Sequence, residues 1–324
     1  MRQIKKLKDG SLPKRHQGRF NPNQTAPYEL GRGRIENFMK CRGCFWLQQA
    51  AGVEFPGMPG FNLNTNTDTL LKRDLDQYRG KAAHPIFIEN KLKHLIPFEH
   101  EDLEKWTQSI QFGASESHFN TVHEQTNIKF GGGLDDVLLN TKTGELHIID
   151  YKSTAQLSPN KAQIKKLDET FLLPPTNPKE PDYKASYRRQ MDMYQWIMRR
   201  KGFAVSDIGY FVYVDGQHIG KKGMIDESNP NKATMEFNTA VIPYEADDSW
   251  VEKALTEAKQ TLTLKNCPSH AEGCENARFL ADAKKALKID MEDSQVDEYA
   301  KLMNVSGKID YEIGESRIER ESTN

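Results

Sequence analysis

The clearest hydrophobic pattern in the chain is a pair of apolar runs on either side of a short polar segment. The apolar positions are Val137, Leu138 and Leu139 in the first run, and Leu146, Ile148, Ile149 and Tyr151 in the second. Residues 141–144, Thr-Lys-Thr-Gly, have the composition of a hairpin loop in which glycine takes a left-handed conformation. A four-residue loop would pair Asn140 with Glu145 and, counting outward, Asp135 with Asp150. The pattern therefore predicts an antiparallel hairpin with two acids facing each other at its open end.

Apolar periodicity predicts further elements on both sides of this hairpin. We expect helices over residues 36–51, 64–79, 183–202 and 247–262, and strands over 84–88, 119–130, 208–216 and 235–244. Strands are followed by a helix, and then by further strands and a helix. This order is typical of an α/β domain with a mixed central β-sheet flanked by helices.

Composition narrows the class of protein. The chain has 324 residues, which is enough for one large domain or two ordinary ones. Its net charge of −1 excludes a global polycation, so any nucleic-acid contact must come from local basic patches. No apolar run approaches the roughly 20 residues that span a bilayer, and the basic N-terminus lacks the apolar core of a secretory signal. We therefore expect a cytoplasmic protein without a membrane partner.

Charge and apolar content predict three segments along the chain. Residues 1–27 form a basic, weakly ordered arm, for which a solvated tail is favoured over a contact with a nucleic-acid backbone. Residues 28–280 form the main domain, which is bracketed by cysteine pairs. Residues 281–324 form a charged extension that is poor in large apolar side chains.

The open end of the hairpin carries the strongest candidate chemistry. Like charges directly opposite in a sheet are destabilising, so Asp135 and Asp150 need a proton or a cation between them. Lys152 is two residues beyond Asp150 and therefore lies on the same face of the strand. Two acids and a lysine on one face suit metal-assisted phosphate hydrolysis. Two alternatives stay open: a simple ion pair at a hairpin edge, and a one-residue register shift that exchanges Asp135 with Asp136.

Three motifs in order resemble the PD-(D/E)XK nuclease superfamily, and in particular its RecB-like branch. They are Gly132-Gly-Leu-Asp135, Asp150-Tyr-Lys152 and the pair Gln190 and Tyr194 of a QxxxY helix. The resemblance implies a restriction-endonuclease-like core and a metal-dependent deoxyribonuclease, of exonuclease type, that works in DNA repair, recombination or processing. It also implies Asp135 and Asp150 as Mg²⁺ or Mn²⁺ ligands, Lys152 as the catalytic lysine, and Gln190 and Tyr194 at the edge of the active site. The alternative is a catalytically inactive nucleic-acid-binding protein that keeps the fold.

Such nucleases usually have a further ligand upstream, and they bind phosphates. Asp68 is our first candidate for that ligand, and Glu124 the second. The predicted helix over 183–202 has a basic flank suited to the DNA backbone, formed by Arg188, Arg189, Arg199 and Arg200. We expect single-stranded DNA or duplex ends as the substrate, and a helicase or recombination protein as a possible partner.

The cysteines form a second constellation. Cys41 and Cys44 precede the nuclease-like core, and Cys267 and Cys274 follow it. Four thiolates can hold Zn²⁺ or a 4Fe-4S cluster, and His270 is a possible substitute ligand. RecB-like nucleases that carry an iron–sulfur cluster place one cysteine before the core and three after it, whereas this chain has two and two. A zinc site, an iron–sulfur cluster and free thiols therefore all stay open.

Overall fold

The structure, a computed structural model, describes residues 20–55, 60–111, 113–155, 167–177 and 180–286. Its strands are β1 (Tyr28–Gly31), β2 (Leu95–Pro97), β3 (Asn120–His123), β4 (Ile128–Gly131), β5 (Asp136–Asn140), β6 (Leu146–Ala155), β7 (Ile208–Gly216), β8 (Ile225–Asp226), β9 (Asn229–Ala233) and β10 (Phe237–Glu245). A five-stranded mixed sheet in the order β10-β7-β6-β5-β2 is the centre of the structure. Strand β6 runs parallel to β7 and antiparallel to β5, and β7 is antiparallel to β10. The predicted α/β class with a mixed sheet is confirmed.

The register of the β5–β6 hairpin is the one that loop length predicts. Asp136 pairs with Ile149, and the Asn140 amide donates to the Glu145 carbonyl at 2.9 Å. Gly144 closes the four-residue loop with a φ of 78°, a conformation that glycine adopts without strain. Continuing the register by one residue places Asp135 opposite Asp150.

Eight α-helices accompany the strands in the described part of the chain. They are α1 (Arg32–Lys40), α2 (Arg42–Gln49), α3 (Asn62–Asp76), α4 (Pro85–Glu89), α5 (Leu103–Trp106), α6 (Ala185–Arg200), α7 (Val251–Leu262) and α8 (Glu275–Ala286). Helices α3 and α6 both contact β6. Leu75 of α3 packs with Ile149 and Tyr151 of β6 in one buried apolar cluster. Because side chains alternate along a strand, Asp150 and Lys152 lie on the opposite face of β6.

Three predicted elements were wrong in type or extent. The strand predicted over 84–88 is helix α4, in which Pro85 occupies the first turn and the His84 ring accepts a hydrogen bond from the Ile86 amide at 3.2 Å. The single helix predicted over 36–51 is two helices separated at Cys41, whose backbone is extended. The strand predicted over 119–130 is the pair β3 and β4, and Asn127 between them has a φ of 52°.

The described residues group into two compact units. The sheet unit draws on the described residues between 60 and 121 and between 130 and 251, and the terminal unit on those of 20–55, 122–129 and 252–286. Strands β1, β4 and β3 form a three-stranded sheet in that order, and β8 pairs with β9. Among the described residues, no helix combines the length and apolar character that crossing a membrane requires.

The segment boundaries at residues 27 and 280 stay predictions. Most of the predicted arm, residues 1–19, lies outside the described residues, as does most of the predicted extension, residues 287–324. Two details at the described edges are clear. Phe20 is buried, and helix α8 continues through the predicted boundary to Ala286.

Candidate functional site

Two acids and a lysine lie together at the open end of the β5–β6 hairpin. Asp150 is 1% exposed, and the Lys152 ammonium forms an ion pair with its Oδ2. Asp135 accepts a hydrogen bond from the Tyr151 amide at 2.8 Å through its Oδ2. Burial, and then the negative charge of Asp150, raise the pKa of Asp135 to about 6. The hairpin therefore concentrates more negative charge than its own lysine neutralises.

Both oxygens of the Asp150 carboxylate have a partner. Gln190 donates to Oδ1 at 2.5 Å. Oδ2 is buried and forms the ion pair with the Lys152 ammonium. Two neighbouring carboxylates, Asp135 and Asp150, supply the oxygen ligands that Mg²⁺ and Mn²⁺ prefer. The residues present therefore fit a divalent cation.

Helix α6 supports both acids from the same face of the sheet. Gln190 holds Asp150, and one turn later the Tyr194 hydroxyl donates to the Gly133 carbonyl at 2.6 Å. A Cβ atom at Gly132 would lie 2.8 Å from the Tyr194 ring, so only glycine permits this close approach. Tyr194 thus fixes the chain that leads into Asp135.

Helix α3 brings a third acid and a second lysine to the site. Lys72 lies 3.0 Å from an Asp68 oxygen and 3.6 Å from Asp135 Oδ1, which makes it a bridge between the two acids. Burial and the nearby charge of Asp135 raise the pKa of Asp68. Sequence reasoning missed Lys72, although its position four residues after Asp68 was a visible helical signal. Glu124, the second candidate, is exposed in the turn between β3 and β4.

Asp136 is buried in a network of hydrogen bonds with other side chains, and this shows whether Asp135 or Asp136 faces the candidate site. It is 1% exposed, and both of its oxygens accept hydrogen bonds from Arg79, at 3.0 and 2.9 Å. The Tyr151 hydroxyl donates to Asp136 Oδ2 at 3.1 Å. Tyr151 lies on the face of β6 opposite Asp150, so Asp136 points away from the candidate site. The register-shift alternative was wrong.

The four arginines of the predicted basic flank have different surroundings. Arg188 pairs with Asp182 and donates to the Leu172 carbonyl. Arg199 pairs with Asp207 and Asp248, so its charge is already matched within the sheet unit. The Arg200 guanidinium lies 5.0 Å from the centre of the Trp196 ring. Arg189 shares helix α6 with the other three. A role for these four in binding DNA stays a prediction.

The terminal unit contains a separate cluster of sulfur and nitrogen donors. Ligand atoms of Cys41, Cys44, Cys274 and His270 all lie within 4.8 Å of one another. Cys267, the remaining member of the predicted cysteine set, bonds elsewhere: its thiol donates to the Gly43 and Pro268 carbonyls at 3.6 and 3.4 Å. Burial raises the pKa of the Cys267 thiol to about 12. The cluster is therefore three cysteines and a histidine, which can hold a metal ion.

The fold and the hairpin acids together define a restriction-endonuclease-like α/β protein. A family model of the PD-(D/E)XK nuclease superfamily matches residues 32–279, and the chain belongs to that superfamily. Membership suggests a metal-dependent nuclease, because these enzymes generally use divalent cations. No curated protein gives a significant match to the chain.

Proposed function

We propose that this protein is a metal-dependent deoxyribonuclease of the RecB-like branch. The observation that carries the proposal is the β5–β6 register, whose continuation by one residue beyond the Asp136–Ile149 pair places Asp135 opposite Asp150, with Lys152 on the same face. The hydrogen bonds from Gln190 to Asp150 and from Tyr194 to Gly133 support the RecB-like assignment, because both residues of the QxxxY motif then contact the segments that carry the two acids.

Each side chain has a role that follows from its position. Asp135 and Asp150 would hold Mg²⁺ or Mn²⁺, with Asp68 as a further ligand. When bound, the cation supplies an activated water and neutralises charge that develops on the phosphate. Lys152 presents a compact positive charge for the scissile phosphate or the attacking water. Gln190 orients Asp150 through its amide, and Tyr194 positions the chain before Asp135.

Our proposal for the substrate is based on the positive charges of helix α6 and on the resemblance to RecB-like nucleases. The four arginines of α6, Arg188, Arg189, Arg199 and Arg200, are our candidates for contacts with the DNA backbone, because they lie on one helix that also carries Gln190 and Tyr194. We propose exonuclease action on single strands or duplex ends, in repair, recombination or processing. A helicase or recombination partner and a cytoplasmic location stay predictions from the sequence.

One observation favours a second candidate, a nucleic-acid-binding protein without catalysis. Lys152 contacts Asp150, and Lys72 contacts both Asp68 and Asp135, so two lysines already offset part of the acidic charge. A protein that had lost its cation could keep the fold in this way. Cleavage assays separate the two candidates.

The test compares cleavage of end-labelled DNA by the wild-type protein, Asp150→Ala and Lys152→Ala. Single-stranded, linear duplex and circular DNA are incubated with Mg²⁺ or Mn²⁺. We expect the wild-type protein to degrade linear DNA, and each variant to be slower by about 10²–10³-fold or more. Circular DNA should survive if the enzyme is an exonuclease.

Lys142→Ala is the matched control, because Lys142 is exposed in the loop of the same hairpin. It should cleave at the wild-type rate. Absence of cleavage by the wild-type protein, with DNA binding retained, would favour the second candidate. Equal cleavage by the wild-type protein and both active-site variants would mean that the activity belongs to a contaminant.

Lys72→Met is expected to bind Mn²⁺ more tightly than the wild-type protein. The Lys72 ammonium lies between two of the proposed ligands, so the cation must compete with it. Asp68 and Asp135 are both partly exposed, so their ion pairs with Lys72 are weak. We therefore expect the Mn²⁺ dissociation constant to fall by roughly three- to tenfold. Isothermal titration of Mn²⁺ measures it, with Lys81→Met, an exposed lysine, as the control. Unchanged or weaker Mn²⁺ binding would show that Lys72 does not compete for these acids.

A further inference from the structure

The donor cluster of the terminal unit has the dimensions of a single tetrahedral ion site. His270 Nδ1 lies 3.3 Å from Cys41 Sγ, 3.4 Å from Cys44 Sγ and 3.6 Å from Cys274 Sγ. The sulfurs of Cys44 and Cys274 are 3.3 Å apart. Zinc–sulfur bonds of about 2.3 Å and zinc–nitrogen bonds of about 2.0 Å give tetrahedron edges of roughly 3.5–3.8 Å. The four donors therefore surround a space of the size that one zinc ion fills.

The same distances argue against a 4Fe-4S cluster. Each iron of such a cluster takes its own cysteine, so the four thiolates stand on the outside of the cluster and far from one another. Sulfurs 3.3 Å apart leave no room for a cluster between them. The donor set points the same way, because Cys267 bonds to backbone carbonyls and a histidine nitrogen takes the fourth corner.

Neighbouring N–H groups donate hydrogen bonds to two of the sulfurs. Cys41 caps the N-terminus of α2, where its sulfur accepts the Cys44 amide at 3.4 Å. The Ala271 amide donates to the same sulfur at 3.3 Å, and the Asn276 side chain donates to Cys44 at 3.6 Å. Hydrogen bonds of this kind orient metal ligands and stabilise their charge. The sequence spacings, two residues between the first pair and three between His270 and Cys274, are those of structural zinc sites.

Close packing holds the two ligand segments together. A Cβ atom at Gly43 would lie 2.9 Å from the Pro268 carbonyl and 3.0 Å from the His270 ring. Glycine at this position is therefore required for the turn of Cys41 and Cys44 to meet the loop that carries His270. Arg42 also pairs with Glu257 of α7, and the Trp46 indole donates to the Leu264 carbonyl at 3.1 Å.

From these observations we infer that Cys41, Cys44, His270 and Cys274 bind one structural Zn²⁺ through three thiolates and His270 Nδ1, and that Cys267 is not a ligand. The ion joins the N-terminal helices of the terminal unit to the segment that follows α7. Binding requires that the thiols lose their protons to solvent as the ion enters. This site is independent of the acids on the hairpin and of the proposed nuclease activity.

The first test measures metal in the full-length protein as purified from cells supplied with both zinc and iron. We expect one zinc per chain, no acid-labile sulfide and no absorption near ~400 nm. X-ray absorption at the zinc edge of the wild-type protein should show three sulfur neighbours at about 2.3 Å and one nitrogen at about 2.0 Å. Iron with labile sulfide would overturn the inference, as would a shell of four sulfurs or protein that binds no zinc even when Zn²⁺ is added.

The second test uses variants that separate His270 from Cys267. Cys44→Ser and His270→Ala are expected to retain less than half of the wild-type zinc after dialysis against a chelator. Cys267→Ser, the matched control, should retain all of it. Gly43→Ala changes no ligand but should also lower retention, because its methyl group displaces the His270 ring. Zinc loss from Cys267→Ser together with full retention by His270→Ala would overturn the ligand set. If a variant fails to fold, the absorption measurement on the wild-type protein decides alone.

Discussion

Asp135→Asn is expected to abolish DNA cleavage and at the same time to make the protein more stable in buffer without Mg²⁺ or Mn²⁺. Cleavage is lost because a proposed cation ligand becomes a neutral amide. Stability rises because Asp135 and Asp150 face each other, and burial and this repulsion raise the pKa of Asp135 to about 6. The amide oxygen can still accept the Tyr151 hydrogen bond. We expect a gain on the order of 2 kcal/mol at pH 7.5, less than the full shift because Lys72 is lost as a partner.

The gain should depend on pH in a definite direction. The pKa of Asp135 is raised in the folded protein above the ordinary value of 3.8, so the folded state binds more protons than the unfolded state between these values. Its contribution to stability therefore falls as pH rises from about 4 to about 6 and stays low above that. The Asp135→Asn variant has no carboxyl group to ionise at this position, so its stability does not fall for this reason as pH rises. The two proteins should be similar in stability near pH 4 and should differ most above pH 6.5.

Urea unfolding followed by circular dichroism at pH 4.5, 6 and 7.5 measures the difference, and labelled DNA measures the cleavage. Asp74→Asn is the control, because Asp74 is an exposed acid on α3. It should leave both stability and cleavage within the experimental scatter of the wild-type values. A variant at Asp135 that is less stable than wild type at pH 7.5 would show that the two acids do not repel each other in the metal-free protein.

The hairpin was predictable because its geometry is local. A four-residue loop that ends in Gly144 fixes which residues pair, and side-chain alternation then sets the faces of Asp150 and Lys152. The pattern of apolar residues could not choose the type of element over 84–88. A short apolar run such as Ile86-Phe-Ile88 fits a strand or a buried helix equally well, and here Pro85 and the His84 cap favour the helix.

The remaining parts of the two sites depend on contacts between distant segments. Asp68 and Lys72 are visibly one turn apart on a helix, but only the packing of α3 against β6 brings them to Asp135. In the terminal unit the sequence alone identified all five candidate metal ligands, the four cysteines and His270. The choice of His270 over Cys267 depends on how the loop after α7 folds back on Gly43. No local pattern carries that information.

Arg79→Met is expected to lower the free energy of unfolding by about 3–5 kcal/mol. Arg79 donates to both oxygens of Asp136 and also to the Phe98 carbonyl, at 2.8 Å. Asp136 is 1% exposed, so without the guanidinium its charge is buried, and among the described residues the Tyr151 hydroxyl and the Val137 amide are the hydrogen-bond donors that remain. Breaking one side of a buried pair is costly because the other charge is left uncompensated.

Two companion variants identify the cause of the loss. Arg73→Met removes an exposed arginine from α3 and should change the free energy of unfolding by less than about 0.5 kcal/mol. The double variant Arg79→Met, Asp136→Asn removes the stranded charge and should recover part of the loss, which a double-mutant cycle measures. A loss below about 1 kcal/mol for Arg79→Met would mean that water reaches Asp136. Asp136 directly follows Asp135, so the expected loss also distinguishes two neighbouring acids: Asp136 is the buried partner of Arg79, and Asp135 is the proposed cation ligand.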